Sequence, residues 1–361
     1  MKKYCAAAMV LVLAAALMTG CGKSSSDEQV KAPEFEVSKI NVNLKLDAER
    51  EEQEVLSYSD SKKLIFRIGG EHADEFVVGT SADRFVIYDI ADESVDKEYV
   101  MDKDVYGRVA VPYKDGLLYS CYWVDQSNQY LYHWQVIYQE GDKKTVIDQG
   151  EEEMNSQKSM IVEDDVIYYT YEDWSDGYHC GVRKVEDGKT VTVAEYDDID
   201  KIGLMKVADG ICYIWIWNDK SVKYFATDGN KILWEQKFDV NDGHIRYDVN
   251  DEYLLCWQNG SEENLTAINL KNGEAIDRDI QLKDPWMTTI GDYFLIEDEN
   301  KNQYYAIIEG DQITVEKLEL PEEQQYKLPL SNSFSAGKNS TILMAGDYWE
   351  DKREYYLLKL S

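Results

Sequence analysis

The sequence predicts an all-β protein, a seven-bladed β-propeller of four-stranded antiparallel blades closed by a strand from near the N-terminus. Three observations predict it. A strong apolar strand recurs seven times along the chain, and a tight-turn doublet precedes most of its copies at spacings in the forties. The last repeat is one strand short, while an alternating segment near the start has no partner of its own.

The recurring strand reads KLIFRIG (63–69), LLYSCYW (117–123), VIYYTYE (166–172), ICYIWIW (211–217), YLLCWQN (253–259), YFLIEDE (293–299) and STILMAG (340–346). These are runs of β-branched and aromatic residues, and almost nothing in the chain has a helical period. The doublets Asp115-Gly116, Asp164-Asp165, Asp209-Gly210, Asn250-Asp251 and Gly291-Asp292 are spaced by 49, 45, 41 and 41 residues. A weaker Lys338-Asn339 follows at 47, and Asp60-Ser61 precedes at 55. After each strong strand come a polar loop and a second alternating strand, such as RFVIYDI, YLYHWQVIYQ, VKYFAT, NLTAINL, QYYAIIE or EYYLLKL. A turn such as Asp187-Gly188 or Asn272-Gly273 leads into a third strand, for example KTVTVAEY or NKILWEQKF. A weaker strand, as in IGLMKVAD or PWMTTIGD, then enters the next doublet, which makes four strands per unit.

The seventh unit stops at Leu360-Ser361 without its outer strand, and Ile40-Asn41-Val42-Asn43-Leu44-Lys45-Leu46 alternates strictly. Pairing that segment beside the last strand would satisfy both exposed edges and make the count whole. The 55-residue first unit leaves room for an insertion around EHADEFVVGTSAD, so six and eight blades stay open at this point.

The chain divides into 1–20, 21–34 and 35–361. Lys2 and Lys3 precede an apolar run from Ala6 to Leu17, the layout of a secretory signal peptide and too short to span a bilayer. The stretch Leu17-Met18-Thr19-Gly20-Cys21 resembles the lipobox of bacterial lipoproteins, with Met18 where Leu is usual. The resemblance implies acylation of Cys21, anchorage to a bacterial membrane and an extracytoplasmic location. The polar, Ser-rich segment GKSSSDEQVKAPE reads as a flexible tether.

Seventy acidic residues face thirty-eight basic ones, a formal charge of −32 that becomes −34 once Lys2 and Lys3 are removed. That balance argues against nucleic acid as a partner and favours cationic ones. Cys121, Cys180, Cys212 and Cys256 lie far apart, each within an apolar strand pattern, and are expected as buried thiols rather than metal ligands. Disulfides remain an alternative for an exported chain.

Two units carry a more specific pattern, Lys223-Tyr224-Phe225-Ala226-Thr227-Asp228-Gly229-Asn230-Lys231-Ile232-Leu233-Trp234-Glu235 and Leu265-Thr266-Ala267-Ile268-Asn269-Leu270-Lys271-Asn272-Gly273-Glu274-Ala275. Both resemble the hairpin of pyrroloquinoline-quinone-type propeller repeats, although no Trp follows Gly273. The resemblance implies a propeller. Since that type includes outer-membrane assembly lipoproteins acting as scaffolds, it also implies a non-catalytic role for an anchored chain. The quinone dehydrogenases of the type use adjacent cysteines and Ca²⁺; this chain has no vicinal cysteines, and no cofactor is expected.

Catalytic motifs are missing: no GxSxG, HExxH, P-loop or dinucleotide fingerprint occurs. His72, His133, His179 and His244 fall in separate repeats without ligand spacing. Asp298-x-Asn300-x-Asn302 with Glu309 at the twelfth place is similar to a Ca²⁺ loop, but Gln303 stands where the sharp-turn Gly belongs, so a solvated turn is favoured.

One constellation remains. Trp and acidic residues gather at the loops after the strong strands: Trp123 and Asp125, Asp173 and Trp174, Trp217 and Asp219, Trp257, then Tyr348 and Trp349. Trp286 lies in a loop between units on the same expected face. Aromatic rings beside acids suit recognition of a protein or a polysaccharide. The expectation is a monomeric, membrane-anchored binding or scaffold propeller; the alternative is an extracellular carbohydrate-active hydrolase or lyase using carboxylates on the ring axis.

Overall fold

A computed structural model describes residues 32–361 apart from 51, 70–81, 126, 153–158, 174–177, 198, 219–220, 240–244, 259–263, 281, 319–329, 331–332 and 346–352. Seven four-stranded antiparallel sheets account for its 28 strands. Blade 1 is β2 (Gln53–Ser59), β3 (Lys63–Gly69), β4 (Arg84–Asp89) and β5 (Ser94–Val100). Blade 2 is β6 (Tyr106–Tyr113), β7 (Gly116–Asp125), β8 (Asn128–Glu140) and β9 (Lys143–Glu152). Blade 3 holds β10 (Met160–Glu163), β11 (Val166–Asp173), β12 (His179–Glu186) and β13 (Lys189–Tyr196). Blade 4 holds β14 (Lys201–Ala208), β15 (Ile211–Asn218), β16 (Ser221–Thr227) and β17 (Ile232–Asp239). Blade 5 follows with β18 (Ile245–Val249), β19 (Tyr253–Gln258), β20 (Asn264–Asn269) and β21 (Ala275–Asp279). Blade 6 is β22 (Trp286–Ile290), β23 (Tyr293–Glu297), β24 (Gln303–Glu309) and β25 (Gln312–Lys317). Blade 7 takes β26 (Ser333–Ser335), β27 (Ser340–Ala345) and β28 (Glu354–Leu360) from the C-terminus and β1 (Phe35–Ile40) from the N-terminus.

The turn chemistry does what the doublets predict. Asp164-Asp165, Asp187-Gly188 and Asp209-Gly210 all have positive φ at both central residues, which matches the right-handed twist of the flanking strands. Each blade presents two apolar faces, and burial is divided among seven clusters, one at each blade–blade interface. Blades 1 and 7 meet through Leu56, Phe66, Ile342 and Tyr355, with the Phe66 and Tyr355 rings edge-on at 5.4 Å. The ring is therefore closed by the same kind of contact that joins every other pair.

The clasp lies earlier than the alternation places it. Phe35 pairs with Leu360 and Ile40 with Tyr355, whereas residues 41–47 form no strand. The segment from Ile40 to Leu46 instead crosses from blade 7 to blade 1, with Val42 and Leu44 packed on the blade 1–blade 7 cluster. Tyr88 Oη donates to the Asn41 carbonyl at 2.6 Å, and the Arg84 guanidinium donates to the Lys45 carbonyl at 3.0 Å. Any extended chain with one face on a core alternates with period two, paired or not, so the pattern alone could not separate the two cases. Pro33 is already buried, and the Ser361 amide donates to the Glu34 carbonyl at 2.9 Å.

All four cysteines in the ring are buried free thiols, as the apolar pattern predicts. Burial pushes the thiols of Cys121 and Cys212 up to about 12.

Candidate functional site

Blade 2 has the longest strands of the ring. β7, β8 and β9 run for 10, 13 and 10 residues, and no other described strand exceeds eight. The alternating runs around LLYSCYWVD and YLYHWQVIYQ keep their period well beyond the inter-blade core, so the ladder continues outward. Register then sets a row across three strands: Trp123 faces His133, and His133 faces Glu151.

The Trp123 and His133 rings stack with centroids 5.3 Å apart and planes 23° from parallel. His133 Nε2 lies 3.2 Å from Asp125 Oδ2, and Nδ1 lies 3.6 Å from Glu151 Oε1. An ionised carboxylate can only accept, so the imidazole donates to Asp125 through Nε2, while Glu151 stands as a nearby charge beyond hydrogen-bond reach. Asp125 is fixed in turn, because its Oδ1 accepts from the backbone and hydroxyl of Ser127 at 2.6 and 2.5 Å. Gln135 Nε2 donates to Gln149 Oε1 at 3.1 Å one step further along the same ladder.

Two cavities share the Trp123–His133 pair as a wall. One, of about 520 Å³, reaches Lys103, Asp104 and Val105 on the link from blade 1 to blade 2. The other, of about 320 Å³, reaches Gln149, Glu151 and Asp173 toward blade 3. Trp134 also lines the second cavity; it is fully buried and donates from Nε1 to the Glu172 carbonyl of blade 3 at 2.7 Å.

Among the expected residues, the structure brings Trp123, Asp125 and Asp173 together here. The others divide. Trp257 is 1% exposed and belongs to the core between blades 5 and 6, so its place is packing rather than recognition. It sits at a strand end whose ring points between blades, a direction that a count of loop aromatics does not reveal. Trp217 is partly buried against the blade 4–blade 5 cluster. Trp286 is 41% exposed, with the Arg246 guanidinium 4.0 Å over its ring, on the blade 5–blade 6 side. Trp174, Asp219, Tyr348, Trp349 and Cys21 lie outside the described residues.

Asp298 closes the β23–β24 hairpin: its Oδ1 accepts from the Asn300 and Asn302 amides, and its Oδ2 from the Asn302 side chain, each at 2.8 Å. These bonds fold the segment as a hairpin turn, as Gln303 suggested.

His133, Gln135, Gln149 and Glu151 are the functional candidates the sequence reading missed. The signal was there in the unusual length of two facing alternating runs, which puts His133 across from Trp123.

Carboxylates on the axis are few. The seven innermost strands carry Glu54, Glu163 and Asp248 among the described residues. Glu54 lies 3.5 Å from the Arg353 guanidinium, and Glu163 accepts from the Asp209 and Gly210 amides at 2.9 and 3.1 Å. Asp248 Oδ1 accepts from the Val249 amide at 2.8 Å, and burial raises its carboxyl to about 6. Each of the three has a structural bond.

No model of a known protein family matches this sequence, and no curated protein matches it. Many solved structures do resemble it. A chain of a mitotic checkpoint complex aligns with a TM-score of 0.52 at 10% identity, over 94% of this chain and 98% of that one. BamB from Moraxella catarrhalis aligns at 0.48 and 10% identity, over 85% and 84%. The WD40 domain of SCAP from fission yeast aligns at 0.47 and 8% identity, over 90% and 98%. Identities this low speak to fold alone, so the chain is a seven-bladed β-propeller whose function has to be read from its own side chains.

Proposed function

We propose that this chain is a membrane-anchored, extracytoplasmic binding propeller that engages a protein partner through the acidic, Trp-bearing groove of blade 2. The observation that carries the reading is the position of that groove relative to the N-terminal strand. Trp123 and Asp125 stand at the end of β7, on the face where β7 turns into β8. Phe35 starts β1 opposite the end of β28, which is the other face of the ring. A chain acylated at Cys21 and tethered through residues 22–34 would then hold its groove away from the lipid surface.

The lipobox-like stretch ending in Cys21 supports the anchor, and the net charge supports a partner with basic character. A chain of a mitotic checkpoint complex, itself part of a protein assembly, shares the fold over nearly its full length and supports the protein-partner reading by analogy.

The test is photo-crosslinking in cells. A photoreactive residue at Gln135 should trap a discrete protein adduct that is lost in Trp123→Ala, while one at Asp187 on the opposite face should not. Cys21→Ser should move the chain from the membrane to the soluble fraction. Absence of any Trp123-dependent adduct overturns the binding reading, and a Cys21→Ser chain still carrying acyl lipid overturns the anchor.

A further inference from the structure

On the face and flanks of this ring the protein repeatedly seats its own arginines in one way. The Arg183 guanidinium lies 3.7 Å over the Tyr171 ring, with Asp148 at 2.8 Å and Asp173 at 3.9 Å. The Arg108 guanidinium lies 4.2 Å over Tyr122 and pairs with Glu152 in a buried ion pair. Arg246 lies 4.0 Å over Trp286, with Asp284 at 3.3 Å. Each seat is an aromatic face with a carboxylate at its edge, the arrangement that holds a planar, weakly hydrated cation through ring quadrupole and charge-assisted hydrogen bonds together.

Trp123 with Asp125 and Glu151 has the same parts in blade 2. Its flat ligand within the chain is His133, stacked on the indole and flanked by the two acids. This seat opens on the cavities of about 520 and 320 Å³ that share its wall. Asp104, Asp125, Glu151 and Asp173 line them against the single Lys103. Volumes of this order admit a long side chain with the backbone that bears it.

We infer that the Trp123–His133 wall and its two cavities form a receptor for arginine side chains of a basic segment in the protein partner. This rests on the binding function proposed above and names its chemistry. The guanidinium stacks on the half-buried aromatic wall while Asp125, Glu151 and Asp173 accept its N–H donors, and the −32 charge of the chain concentrates basic segments near the face. A neutral sugar would gain the ring contact but no charge-assisted bonds to the carboxylates.

The experiment is a fluorescence-anisotropy titration of the full chain in detergent with a labelled hexapeptide of alternating glycine and arginine. The same peptide with citrulline, the neutral isostere, replaces it as the control. The arginine peptide should bind at least about tenfold tighter than the citrulline peptide. Trp123→Ala should lose about tenfold, and Asp125→Asn or Glu151→Gln about fivefold each, with melting temperatures unchanged to show that the variants fold. Equal binding of the two peptides overturns the inference. So does arginine-peptide binding that survives all three substitutions, which would mark general attraction to an acidic surface, and so does displacement by a neutral oligosaccharide but not by arginine peptide. If cells yield a Trp123-dependent protein adduct while the arginine peptide fails to bind, only the arginine assignment falls; if no adduct forms, the binding function itself falls.

Discussion

Trp234 on the outer strand of blade 4 lies against Gly273 in a hairpin turn of blade 5, so closely that a Cβ on that glycine would stand 2.6 Å from the tryptophan Cβ. The indole Nε1 donates to the Leu270 carbonyl at 2.7 Å, and Gln236 Nε2 donates to the Gly273 carbonyl at 2.7 Å. Gly273 also has φ of +74°, so both its conformation and its neighbour require a residue without a side chain. One blade's outer strand thus caps the next blade's turn.

Gly273→Ala should therefore destabilise the ring by about 2–3 kcal/mol, the sum of left-handed backbone strain and a forced shift of Trp234. Trp234→Phe, which keeps most of the packing and loses the bond to Leu270, should cost about 1–2 kcal/mol. Denaturant titration checks both; a Gly273→Ala chain as stable as the native one would mean the turn is not held by Trp234.

The clasp strand contributes to two interfaces at once, Phe35 to the blade 6–blade 7 cluster and Ile40 to the blade 7–blade 1 cluster. Phe35→Ala should cost about 3 kcal/mol and lower the melting temperature by several degrees. Leu46→Ala should change it little, since Leu46 is exposed and outside the strand. A larger loss from Leu46 than from Phe35 would restore the later placement of the clasp.

Asp248 gives a pH signature. Burial raises its folded-state carboxyl to about 6, while the Val249 and Thr289 hydrogen bonds act against the rise. An unfolded aspartate titrates near 3.9. Between about pH 4 and pH 6 the folded chain therefore binds the extra proton, and this residue's contribution to stability falls as pH rises. Asp248→Asn should gain about 1–2 kcal/mol at pH 7, reduced for the partial exposure of the side chain, and the gain should vanish by about pH 4. Thermal melts of both chains across that range decide it; a constant difference would place the carboxylate in water.

The four ring cysteines should resist alkylation. Cys121, Cys180, Cys212 and Cys256 are at most 1% exposed, and burial disfavours the reactive thiolate at Cys121, Cys212 and Cys256. Iodoacetamide at pH 8 should label them at least about a hundredfold more slowly in the native chain than in denaturant. Peptide mapping that finds any of the four modified at the free-thiol rate would contradict the packing described for that blade.

Blade count and strand order were legible because they are local. A tight turn needs Asp-Gly or Asn-Gly where φ is positive, and a strand between two apolar surfaces needs an unbroken run such as ICYIWIW, so both leave marks within ten residues. The repeat then multiplies those marks seven times. The need for an N-terminal closing strand was also legible, because an unfinished last blade leaves edge groups that some segment must satisfy.

What the tertiary structure alone decided was which alternating segment pairs and which aromatic faces out. Residues 35–40 and 40–46 compete on nearly equal local terms, and Phe35 prevails because its ring fills the contact between blades 6 and 7. Trp123 and Trp257 lie near the ends of equivalent strands but on opposite faces: Trp257 packs toward blade 6 as Tyr122 packs toward blade 3, whereas Trp123 walls an open groove. How far a strand-end side chain is covered depends on how far the neighbouring blade extends beside it, a distance set by chain some forty residues away, while the register within blade 2 brought His133 onto Trp123 between Asp125 and Glu151.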